Sequence, residues 1–110
     1  MTTLMTKKCK IPVAGKLTGQ EATDLLAQVS GWEMTADGGG ELHRTFKFKN
    51  YHEAMAFVNA TAWISHREDH HPDIELGYNT VTLCYSTHSV GGLTENDFIC
   101  AAKVNALLSI

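Results

Sequence analysis

The chemistry this sequence offers is concentrated in one short stretch, Asp69-His70-His71-Pro72. Imidazole titrates near pH ~6.5, so of two neighbouring rings one can give a proton while the other takes one. That suits a reaction needing an acid and a base together. Six histidines in 110 residues is a high density, and His66, His70 and His71 crowd into positions 66–71. Two adjacent imidazoles at a helix end cannot both enter one core pocket, so at least one must face solvent or a cleft. Pro72 fixes the backbone behind them. A third imidazole, His88, stands at the far end of the strand that follows the hairpin after Pro72. If that end folds back beside its start, three imidazoles share a cleft. Spacing alone leaves open that these are solvated loop histidines with no task. A metal site is the competing chemistry, because His66 and His70 stand at i, i+4 on a helix turn, a spacing that zinc sites use. No H-E-x-x-H accompanies them, no cysteine is adjacent, and the turn is ending. Acid–base work is the better reading, with no metal ligand and no cofactor assigned.

The elements that must position these groups can be read from periodicity. Thr18-Gly-Gln-Glu21 has capping-box spacing, and Ala22, Leu25, Leu26 and Val29 form one helical stripe that Gly31 stops. Trp32 to Thr35 and Glu41 to Phe48 flank a turn, Asp37-Gly-Gly-Gly40. In the second run Leu42, Phe46 and Phe48 alternate with His43, Thr45 and Lys47, the pattern of a half-buried strand in a hairpin. Asn50 and Glu53 signal a second N-cap. A broad apolar face from Ala54 to Ser65 then predicts a long helix reaching about Arg67, which Pro72 prevents from continuing. Asp73 to Leu76 and Tyr78 to Thr87 predict a second hairpin around Gly77. In it Val81, Leu83 and Tyr85 face one way, and Thr80, Thr82, Cys84, Ser86 and His88 the other. Thr94-Glu-Asn-Asp97 caps a third helix carrying Phe98, Ala101, Val104 and Leu108. The order αββαββα predicts an α+β fold, a two-layer domain with an antiparallel four-stranded sheet and three helices on one face.

A chain of 110 residues holds one core and not two, and the expected division is a flexible leader, residues 1–14, before a domain from 15 to 110. A net charge of −3 gives no basic face for nucleic acid. The one basic cluster, Lys7, Lys8 and Lys10, falls in the leader. No stretch approaches the ~18 apolar residues of a membrane helix, and Met1 to Lys10 lacks the apolar core of a secretory signal. A cytoplasmic protein is expected. Three cysteines cannot all pair within one chain, and none has metal-ligand spacing. Cys84 and Cys100 read as reduced core residues. Short hairpins leave strand edges that favour pairing between chains, so a homodimer or homotetramer is expected. The strand Glu41 to Phe48, the longest with a clear apolar face, is the expected pairing edge.

Taken together, Asp69-His70-His71-Pro72, Tyr78, Ser86-Thr87-His88, Gly92-Leu93-Thr94 and Asp97 resemble the signature of the pterin-4a-carbinolamine dehydratases, from about Trp32 to Leu108. The resemblance implies the same αββαββα fold. It also implies a hydro-lyase that removes water from a 4a-hydroxytetrahydropterin to give quinonoid dihydropterin. The small-molecule pterin would come from an aromatic amino acid hydroxylase, the functional link being tetrahydropterin recycling. By resemblance His70 and His88 are the acid–base pair, His71 binds and polarises the substrate, and Asp97 orients or charge-stabilises a histidine while also capping its helix. Asp69, Ser86, Thr87 and Ser89 would line the site and bind the pterin ring. Where many members carry Glu four residues before the histidine pair, this chain has His66. That withdraws a carboxylate and places a like charge near His70; Glu68, on a helix, points elsewhere. Trp32 occupies the family's Gly-Trp position, as a backing to the pocket or as a core aromatic. The alternative within the family is a catalytically idle interaction protein, a transcription-factor dimerisation cofactor or an assembly chaperone. Chaperone-type relatives tend to lose the histidine set that this chain keeps.

Overall fold

The computed structural model describes residues 3–35 and 40–109. Three helices, α1 (Gly19–Leu26), α2 (Tyr51–Glu68) and α3 (Glu95–Leu107), combine with four strands, β1 (Glu33–Met34), β2 (Leu42–Lys47), β3 (Asp73–Leu76) and β4 (Thr80–Tyr85). All strand pairs are antiparallel, in the spatial order β1-β2-β4-β3. The expected α+β class and element order hold, with 3-10 turns added at Leu4–Thr6 and His88–Val90.

Local chemistry explains the helix starts. The Glu21 amide donates to Thr18 Oγ1 and the Thr18 amide to Glu21 Oε1, a complete capping box. Asn50 Oδ1 accepts from the Glu53 amide at 2.9 Å and opens α2. The strand β1 is only two residues long, shorter than the expected run from Trp32. The Asp37-Gly-Gly-Gly40 turn lies, except for Gly40, outside the described residues.

The sheet has one dry face. Leu42 opposite Tyr85 and Phe46 opposite Val81 are all buried, as is Leu83, and Phe46 and Phe48 tilt onto Phe57 of α2 with ring centroids 4.7 and 5.0 Å apart. On the other face Thr45 and Thr82 hydroxyls meet across the strands at 2.8 Å. Cys84 is on this polar face and only half-buried, which corrects its expected place in the core. Burial first, then the charges of Glu41 and Asp73, push its thiol up to about 11. The raised value disfavours its thiolate at neutral pH.

Two further expectations are overturned. The strand expected at the open edge is interior, since β2 lies between β1 and β4. A long strand with an apolar face gains most from partners on both sides, and the short strands β1 and β3 take the edges. Nor is the leader free over its described length. Leu4 and Cys9 are buried, Lys7 reaches Glu95 at 2.8 Å, and Lys8 Nζ donates to the Arg67 carbonyl. This docking explains why Asn96, Asp97, Phe98, Ile99, Cys100 and Ala101 of α3 are all buried, on every side of the helix. Leu108, expected on the apolar stripe, is past the helix end and exposed.

Glu68 is the anchor of that docking. Its carboxylate is buried at the end of α2, accepts the Cys9 amide at 2.8 Å, and has Lys103 and Lys8 ammonium groups at 3.6 and 3.7 Å. Burial opposes ionisation, yet the Cys9 hydrogen bond and the two lysines outweigh it and hold the carboxyl below its ordinary range. Glu68→Gln should therefore cost roughly 1–3 kcal/mol in urea unfolding at neutral pH. A carboxyl held down on folding stabilises fully above its unfolded value near 4.5, and this contribution fades as pH falls through the lowered folded value. The gap between wild type and variant should close on acidification. A gap that persists undiminished to pH ~2 would contradict this role.

Candidate active site

Pro72 and Asp69 shape the end of α2. Asp69 adopts the left-handed conformation, with φ 51°, and caps the helix by donating its amide to the Ser65 carbonyl. Aspartate tolerates this region better than most side chains. The His70 amide shares the same carbonyl at 3.3 Å. From this turn the two imidazoles diverge. His70 is pulled inward, its side chain 13% exposed, while His71 is on the surface with Nδ1 3.5 Å from the Pro72 carbonyl.

What pulls His70 inward is Asp97, 0% exposed at the third position of α3. Asp97 Oδ2 accepts the Thr94 amide at 2.9 Å and the Thr87 hydroxyl at 2.8 Å; Oδ1 faces His70 Nε2 at 2.6 Å. Cap and histidine holder are therefore one carboxylate. The Thr87 proton is spent on Asp97, so across the 2.9 Å contact between the two hydroxyls Thr94 must be the donor. A carboxylate can only accept, which places the His70 proton on Nε2 and leaves the lone pair on Nδ1. Protonating Nδ1 makes an imidazolium whose counter-charge is already in hydrogen-bond contact.

The site is backed by aromatic rings. Tyr85 lies nearly parallel to His70, with centroids 5.9 Å apart and an 11° interplanar angle, and Trp32 tilts against Tyr85 at 5.8 Å. Trp32 is buried, its indole N–H donating to Asn105 Oδ1 at 2.8 Å. It is a core aromatic and backs the site only through Tyr85. The Tyr85 hydroxyl is buried without a hydrogen-bond partner among the described residues. Burial drives its pKa far above the ordinary tyrosine range, so it serves as a neutral plate. Alternation in β4 assigns Tyr85 to the core face, but nothing local to the sequence places it under His70.

Of the remaining candidates, Thr87 is buried and hydrogen-bonded to Asp97, Ser86 is half-buried, and Asp69, Ser89 and His88 are exposed. His88 opens the 3-10 turn immediately after Thr87. The Thr87 amide is fixed to the Gly92 carbonyl at 2.9 Å, and Gly91 turns back at φ 68°. One imidazole is thus locked to a buried carboxylate, and two exposed ones, His71 and His88, follow directly on residues of that network. His66 is apart from it, its ring 5.3 Å from Trp63 on the exposed side of α2. Glu68 is committed to the Cys9 amide. Such an arrangement can move protons between a bound substrate and the protein without further groups.

The profile of the family described as pterin 4 alpha carbinolamine dehydratase matches residues 15–107. Among curated relatives, the "Putative pterin-4-alpha-carbinolamine dehydratase" of Nitrosospira multiformis is 54% identical over 110 residues, covering 97% of this chain and 94% of its own. The protein of the same description in Stenotrophomonas maltophilia is 58% identical over 92 residues, 84% of this chain and 78% of its own. Among solved structures, a transcriptional coactivator/pterin dehydratase from Brucella melitensis superposes with a TM-score of 0.79 at 36% identity, over 84% of this chain and 98% of that one. A pterin dehydratase-like protein described as a RuBisCO assembly factor in the alpha-carboxysome has a TM-score of 0.59 at 28% identity, over 70% and 88% of the two chains. With the family profile matched across most of its length and relatives more than half identical, this chain belongs to the pterin 4 alpha carbinolamine dehydratase family.

Proposed function

We propose that this protein dehydrates a 4a-hydroxytetrahydropterin to the quinonoid dihydropterin, and so supports tetrahydropterin recycling behind an aromatic amino acid hydroxylase in the cytoplasm. The observation that carries the proposal is the 2.6 Å contact between His70 Nε2 and buried Asp97. Loss of water from C4a needs a proton delivered to the C4a oxygen and another removed from N5, whose electron pair then closes the C4a–N5 double bond. His70 Nδ1, with Asp97 behind it, suits the base. His88, exposed just after Thr87, suits the acid, and His71 holds and polarises the ring. In this reading Asp69, Ser86 and Ser89 hydrogen-bond the pterin, whereas Thr87 acts by holding Asp97. No metal enters this scheme.

Purified protein dialysed against a strong chelator should therefore still accelerate dehydration of enzymatically generated carbinolamine over the background reaction. Activity lost to the chelator and restored by zinc alone would move His66 and His70 into ligand roles. The names of the Brucella and carboxysome neighbours keep a second reading in view, an interaction protein on the same fold. The dehydratase reading is preferred because the Asp97 carboxylate, besides capping α3, is in hydrogen-bond contact with His70. A homodimer or homotetramer is part of the proposal, with β3 as the pairing edge, since its outer backbone is unpaired in the sheet and Ile74 on it is 42% exposed. Light scattering distinguishes such an assembly from a monomer.

A further inference from the structure

Behind the site, two thiols from opposite ends of the chain meet. Cys9 Sγ lies 3.7 Å from Cys100 Sγ, and the two residues are 91 positions apart in sequence. Cys9 is 8% exposed and Cys100 0%. Neither enters the proton chemistry described above. The pair is held in register by the contacts of the N-terminal segment: the Cys9 amide to Glu68, the Lys10 amide to Asn96 Oδ1 at 2.9 Å, and Asn96 Nδ2 back to the Lys10 carbonyl at 3.1 Å. Cys100 is one turn beyond Asn96 and Asp97 on α3, and its sulfur is 4.0 Å from the His70 carbonyl.

We propose that Cys9 and Cys100 are a redox-active pair, closed by a small-molecule disulfide oxidant into an intramolecular disulfide that pins the N-terminal segment to α3 behind His70. The Cys9 thiolate, on the less buried residue of the two, attacks the oxidant and releases one thiolate of it, leaving a mixed disulfide. The Cys100 thiolate then attacks Cys9 Sγ and releases the second. Two protein thiols are oxidised and one oxidant disulfide is reduced to two thiols, with two protons passing to the released thiolates. Closure needs the sulfurs to approach from 3.7 Å to ~2.05 Å. The side that moves is the N-terminal segment, which is held by side-chain contacts rather than by strand pairing. The Cys9 thiol beside it, and then burial, push the Cys100 thiol far up. The second step is therefore slow at neutral pH and accelerates with base. The reduced segment is held by non-covalent contacts alone, and the oxidised one is covalently docked until the disulfide is reduced. This device does not depend on the dehydratase reading.

The test uses the reduced, full-length protein treated with oxidised glutathione at graded pH. The readouts are intact mass, peptide mapping after alkylation under denaturing conditions, and thermal melting. The expected product has lost the mass of two hydrogens, contains a Cys9–Cys100 cross-linked peptide, and leaves Cys84 alkylated. Its Tm should rise by about 10 °C or more, because the closed loop spans most of the chain. Cys84→Ser should close as wild type does, and Cys9→Ser should not close. A stable glutathione adduct on Cys9 that never resolves, cross-linking through Cys84, or three unreacted thiols would each overturn the proposal. The wild-type mapping alone decides the matter even if a variant folds poorly.

Discussion

His70→Ala should lower the rate of carbinolamine dehydration by about 10²-fold or more, the weight a general acid or base carries. The expectation rests on His70 being, among the described residues, the imidazole whose protonated form has a buried counter-charge already in place at 2.6 Å. His88→Ala should fall by a similar factor if it supplies the acid. His71→Ala should instead raise KM, since that ring is exposed and its contact is the neutral Pro72 carbonyl. Rates must be corrected for the uncatalysed reaction, which is not negligible for this substrate. Near-wild-type rates in both His70→Ala and His88→Ala would remove the histidine mechanism.

Asp97→Asn should be almost as damaging, and for a reason its geometry makes specific. The Thr94 amide and the Thr87 hydroxyl both donate to Oδ2, so an asparagine must turn its carbonyl oxygen to them and its amide nitrogen to His70. His70 Nε2 then has to accept, its proton moves to Nδ1, and the nitrogen needed as base is occupied. The negative charge that stabilises the imidazolium is lost as well. A fall in kcat of about 10²-fold or more, with KM little changed, is expected. Nitrogen NMR of the His70 ring should show the tautomer reversed, a signature that a merely structural cap would not produce. An unchanged kcat with the tautomer unmoved would reduce Asp97 to a helix cap.

The parts of this molecule legible in the sequence are those set by neighbours along the chain. Thr18 with Glu21 and Asn50 with Glu53 announce helix starts because capping is completed within four residues. Alternation in β4 assigns Val81, Leu83 and Tyr85 to the dry face because the strand period is local. The divergence of His70 and His71 follows from two adjacent side chains at a helix end, and Asp97 is visible both as a cap and as a carboxylate of the right family spacing.

Long-range partnerships were not legible. Strand β2 pairs with β4 across the whole of α2, so its central place in the sheet depends on contacts no window contains. The Lys7–Lys10 segment looks solvated by composition, yet Leu4, Cys9 and the buried Glu68 tie it down. Glu68 itself reads as a surface charge near a helix end until the Cys9 amide is placed against it. Cys84 follows the polar side of its strand, as the alternation already indicated, and its chemistry as a cysteine suggested the core instead. The plate that Tyr85 makes under His70 joins β4 to the turn after α2, and only the folded chain brings the two together.

The central claim is that the His70–Asp97 pair, with His88, makes this protein a dehydratase. It is tested most directly by following quinonoid dihydropterin spectroscopically from enzymatically generated carbinolamine, with increasing amounts of wild-type protein and of a His70→Ala/His88→Ala double variant. The initial rate should climb linearly with wild-type protein and stay at background with the double variant, provided its thermal melt shows it folded. A wild-type rate that never leaves background, or a double variant as fast as wild type, would contradict the account.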